Sequence, residues 1–116
     1  VKAALLQLGT EEHLVFYCPG CRCDHGVPVR HSNMAWTWNG SLEKPTLSPS
    51  ILVRYGRDPR PDLPQTCHSF VRDGRIEFLT DCYHELAGQT VELRDYEEAN
   101  PKETVPLWPK DPPVMP

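Results

Sequence analysis

No stretch of this 116-residue chain is apolar for long enough to span a bilayer, and no His-Glu-x-x-His signature marks the helix of a metalloprotease. Positive charge is also scarce: 12 Lys and Arg against 16 Asp and Glu leave a net charge of −4, which excludes the electrostatic footprint of a nucleic-acid binder. Hydrophobic residues make up only 39%, so the core is expected to be thin. No signal-peptide pattern opens the sequence, and the expectation is therefore a cytoplasmic protein with reduced thiols.

What the chain has in quantity is proline, thirteen residues of it, which disfavours long helices and predicts a loop-rich, strand-dominated domain. The pattern changes direction every eight to twelve residues or so, the rhythm of an all-β domain. Ala3 to Gln7 and His13 to Tyr17 read as a first hairpin around Gly9 to Glu12. Further strands are expected over Gly26 to Arg30, Ala35 to Trp38, Ser50 to Tyr55, Cys67 to Arg72, Arg75 to Leu79 and Thr90 to Leu93. The minor α content is one short helical turn near 83–87, stopped by Gly88. The fold class is thus all-β: a small zinc-stabilised antiparallel domain over residues 1–99, either a sandwich or a two-sheet tent. Residues 56–66 read as an exposed loop and residues 100–116 as a Pro-rich C-terminal tail.

Five cysteines is an odd number for a disulfide framework, and Cys18-Pro19-Gly20-Cys21 has the spacing that lets two thiolates face one ion. The other half of the site comes from the Asp73-Gly74 hairpin. A two-residue type I′ loop pairs Arg72 with Arg75, Val71 with Ile76, Phe70 with Glu77 and Ser69 with Phe78. Cys67 then shares a face with Val71, Ile76 and Phe78, and Cys82 joins it if the strand runs on past Thr80, whereas His68 projects to the opposite face. The expected ligands are Cys18, Cys21, Cys67 and Cys82 around zinc, with His84, His68 and His25 as alternates. A turn at Asp81 would rotate Cys82 away and bring His84 forward.

The segments Trp36-Thr37-Trp38-Asn39-Gly40, Lys44 to Leu52 and Cys67 to Val91 resemble a family of small phage and prophage proteins, a domain of unknown function often labelled ammonia monooxygenase. Nothing in a small chain without a membrane span or an evident copper site supports that label. The resemblance implies that His25, His68 and His84 belong to the motif along with Cys18, Cys21, Cys67 and Cys82. It also implies a phage or mobile-element origin, placing the protein in the host cytoplasm, and a link to bacterial ubiquitin-like conjugation components beside which some relatives are encoded.

Two functions follow as expectations. One is a zinc-stabilised accessory module that binds a protein partner, favoured by the lack of an evident nucleophile–base pair. The other is a zinc-dependent amidase or peptidase, conceived as acting on ubiquitin-like conjugates. It would use a mixed site drawn from Cys18 or Cys21, His68 or His84, and Cys82, with Asp81 or Glu85 as general base. The candidate catalytic residues are therefore His25, His68, His84 and Asp81.

Overall fold

The computed structural model describes residues 1–54 and 66–100. The loop expected over 56–66, save Thr66 itself, and the tail expected over 100–116, save Asn100, lie outside the described residues. Among the described residues, eight strands form two antiparallel sheets. The first contains β1 (Ala4–Leu8), β2 (Glu11–Cys18) and β3 (Cys23–Arg30), in that order. The second has the order β4 (Thr37–Trp38), β5 (Leu47–Arg54), β6 (Thr66–Arg72), β7 (Arg75–Phe78) and β8 (Thr90–Glu92). No helix among the described residues is long and apolar enough to cross a membrane.

Both sheets contribute to one core: Leu14, Phe16, Cys18 and Val27 from the first meet Leu47, Ile51, Cys67, Val71, Ile76 and Phe78 from the second. Alternation does the sorting. Along β6, Cys67, Ser69 and Val71 are buried while His68, Phe70 and Arg72 lie on the outer face. The hairpin register is the one expected, with Arg72 opposite Arg75 and Ser69 opposite Phe78. Its loop residues Asp73 and Gly74 both have positive φ, 53° and 79°, as a type I′ turn requires.

Three local expectations are corrected. Ala35 and Trp36 do not join β4, because the Trp36 main-chain N–H bonds Pro28 of the first sheet and draws the chain away from β5. Residues 83–87 make only a hydrogen-bonded turn, Ala87 N–H to His84 C=O. The helix is instead α1 (Tyr96–Ala99), where the Asp95 side chain caps the N–H groups of Glu97 and Glu98.

Candidate functional site

At the end of β2 the chain turns through Pro19 and Gly20. Cys21 N–H points at Cys18 Sγ, 3.3 Å away, and Arg22 N–H bonds Cys18 C=O. Cys67 on the inner face of β6 brings its Sγ to 4.0 Å from Cys18 Sγ and 3.4 Å from His84 Nε2. The donor atoms of Cys18, Cys21, Cys67 and His84 all lie within 4.8 Å of one another, so these four residues could hold a metal ion. A tetrahedral ion with ~2.3 Å bonds to sulfur separates its sulfurs by about 3.8 Å, close to the 4.0 Å between Cys18 Sγ and Cys67 Sγ.

The surroundings suit metal-ligand chemistry. The Cys67 hydrogen bond lowers the Cys18 thiol pKa, aided by His25 and the Cys21 N–H, while the same contact and burial push Cys67 up. Burial holds His84 below the usual histidine value, keeping the imidazole neutral as a ligand must be. Gly20 is there because His84 lies against it: a Cβ at residue 20 would sit 2.2 Å from His84 Cε1 and 2.3 Å from Nε2. Gly20→Ala is therefore expected to displace the imidazole and weaken metal binding by about a hundredfold, the upper end for losing support of a ligand. Competition against a chromophoric chelator measures this, and unchanged affinity would contradict the packing.

Cys82, expected as the fourth ligand, is not in the group. β7 ends at Phe78, and a turn closed by Cys82 N–H to Leu79 C=O breaks the alternation that would have carried Cys82 to the ligand face. The turn brings His84 forward in its place. The Cys82 thiol instead donates to His68 C=O at 3.1 Å and accepts from His68 N–H at 3.3 Å, gripping the main chain of His68 from both sides. Leu79 N–H to His68 C=O and Tyr83 N–H to Thr66 C=O fasten the same segment along β6.

On the outer face these constraints produce a second constellation. His68 Nε2 lies 3.1 Å from Ser50 Oγ, and His68 Nδ1 lies 3.3 Å from Asp81 Oδ2. With Asp81 accepting the Nδ1 proton, Nε2 is left with its lone pair toward the serine hydroxyl, the tautomer a general base needs. Ser50 is held from the other side by Trp36, whose indole Nε1 donates to Pro49 C=O at 3.0 Å and reaches Ser50 C=O at 3.4 Å. Ser50 is the member of this group that sequence reasoning missed. Its pairing with His68 depends on the β5–β6 register, which shifts between Leu47 and Ile51, and no alternation rule predicts such a shift.

The remaining candidates have other places. His25 is buried on β3, edge-on to Phe16 and hydrogen-bonded to Cys18, outside the four-donor group. Glu85 is well exposed, 4.0 Å from the Arg22 guanidinium. Cys23 is exposed, and all five cysteines are free of disulfides.

The sequence signature described as bacterial ubiquitination-like system serine protease (BubE) matches residues 2–79, more than half of the chain and inclusive of Ser50 and His68. The chain belongs to that family, and nothing found supports a phage origin. No curated protein and no solved structure shows a match.

Proposed function

We propose that this member of the BubE family is a serine hydrolase that cleaves amide bonds in proteins of a bacterial ubiquitination-like system, with Ser50 as nucleophile, His68 as general base and Asp81 as the group that orients His68. One observation carries the reading: the unbroken line from Ser50 Oγ to His68 Nε2 and from His68 Nδ1 to Asp81 Oδ2, at 3.1 and 3.3 Å. Ser50 Oγ attacks the scissile carbonyl as its proton passes to Nε2. The imidazolium, stabilised by Asp81, then returns that proton to the departing amine, leaving an acyl group on Ser50. Water attacks the ester with His68 again as base, releasing the acid and restoring the serine.

The metal in this reading is zinc and it is structural. Cys18, Cys21, Cys67 and His84 would supply three thiolates and one imidazole to the ion, a full set of four ligands of the kind that holds structural zinc. Its effect on chemistry is mechanical. Cys67 precedes the base His68 by one residue, and Asp81 lies three residues before His84, so an ion held between Cys67 and His84 would tie β6, which carries the base, to the turn after β7, which carries its orienting acid. Thiolate ligands also suit the reducing cytoplasm, and the partner is the protein substrate.

The test is hydrolysis of a ubiquitin-like protein from such a system bearing a C-terminal amide-linked fluorophore. Release of the fluorophore by the zinc-loaded protein, blocked by prior treatment with an alkyl fluorophosphonate, is expected. Hydrolysis that survives the fluorophosphonate, or no hydrolysis of any such protein, would refute the proposal.

A further inference from the structure

Ser50 stands beside a sheet edge that no strand among the described residues pairs. Because Asp73-Gly74 is a two-residue loop, Arg72 and Arg75 exchange both main-chain hydrogen bonds, and the groups of Phe70 and His68 point the same way. The bond from Leu79 N–H to His68 C=O agrees with this parity. The main-chain groups of Cys67 and Ser69 must then face β5, where their partners are Val53 and Ile51. It follows that the N–H and C=O of Leu52 and Arg54 point away from β6. The indole of Trp36 reaching Ser50 C=O from that side is consistent with the same parity.

Little covers that side. β4 meets β5 only through Thr37 with Ser48 and Trp38 with Leu47, and before Thr37 the chain departs for the first sheet at Pro28. Among the described residues no strand pairs with Leu52 or Arg54 on the side away from β6. Leu52 is exposed, opposite His68 and on the outer face of the sheet.

We infer that the substrate of this site is an extended peptide segment that binds as an added strand along the free edge of β5, hydrogen-bonded to the main chain of Leu52 and Arg54, and so presents its scissile bond to Ser50. The inference rests on the serine reading above. A strand added there runs about 4.8 Å from β5, near enough for a serine side chain to meet its main chain. Main-chain bonds supply affinity in such an arrangement, and the free edge supplies the donors and acceptors in register. Only unfolded or flexible segments can be accommodated, because a residue already paired in its own sheet or helix has no groups left to offer. The substrate class is therefore an exposed terminus or linker rather than a bond inside a folded domain.

Altering the substrate instead of the enzyme avoids any question of folding. The zinc-loaded protein is incubated with a peptide library made from a proteome digest, and one cleaved peptide is resynthesised with a single N-methyl group at each amide in turn. The expected result is a loss of at least tenfold in kcat/KM at every second amide on one side of the scissile bond, with the intervening amides tolerant. Labelling of Ser50 by an alkyl fluorophosphonate, which needs no strand, runs in parallel. Labelling combined with uniform tolerance of N-methylation, or with no library peptide cleaved, would overturn the strand inference alone. Failure of Ser50 to label would remove the serine reading and this inference with it.

Discussion

Replacing Ser50 by alanine is expected to lower kcat for amide hydrolysis by at least about a thousandfold while leaving the melting temperature and zinc content as they are. The change deletes one oxygen at the outer face, where Ser50 is half-buried and its Oγ bonds His68 rather than the core. A substitution of this kind away from packing and caps alters stability by no more than about 0.5 kcal/mol. The size of the rate effect follows from covalent chemistry, since without Oγ there is no acyl intermediate and His68 has no hydroxyl to activate. A variant that loses activity and unfolds would speak for a packing role only, and one that stays folded with more than a tenth of the activity would exclude Ser50 as nucleophile. The metal-centred alternative makes the opposite prediction, because zinc would still be present in this variant.

Cys67→Ser is the second large effect and belongs to the other face. Cys67 is 1% exposed and its sulfur lies against both Cys18 Sγ and His84 Nε2. A serine hydroxyl neither ligates zinc comparably nor fits a buried apolar site without a partner. Structural zinc contributes about 10–16 kcal/mol in small domains, comparable with or larger than the ~5–15 kcal/mol net stability of a typical domain. The expected result is loss of stoichiometric zinc and destabilisation by about 3 kcal/mol or more, lowering the melting temperature by more than 10 °C. Thermal denaturation together with elemental analysis checks it, and a folded, zinc-replete Cys67→Ser protein would contradict the ligand assignment. His68→Ala, one residue along the same strand, is expected to leave folding and zinc nearly intact, because its side chain lies on the opposite face.

The two substitutions also mark what was legible in the sequence. The Asp73-Gly74 loop fixed its register because a type I′ turn admits few alternatives, and from that register the separation of Cys67 from His68 follows by alternation alone. The Cys18–Cys21 turn was legible because its residues are local. Alternation stopped helping wherever the backbone broke period: at the turn after Phe78, which exchanged Cys82 for His84, and at the shift between Leu47 and Ile51, which set Ser50 against His68. Ser50 is 18 residues from His68, and nothing within either segment announces the other. The short helix α1 was missed for a different reason, being four residues held by the Asp95 cap rather than by any apolar periodicity.

Peptide mapping of the zinc-loaded protein after reaction with an alkyl fluorophosphonate tests the central claim most directly, by mass spectrometry before and after the metal is withdrawn with a chelator. The account predicts one adduct per chain, on Ser50, forming readily with zinc bound and at least tenfold more slowly once the Cys18, Cys21, Cys67 and His84 group is emptied. An adduct on another residue, no adduct at all, or a rate at Ser50 indifferent to the metal would contradict it.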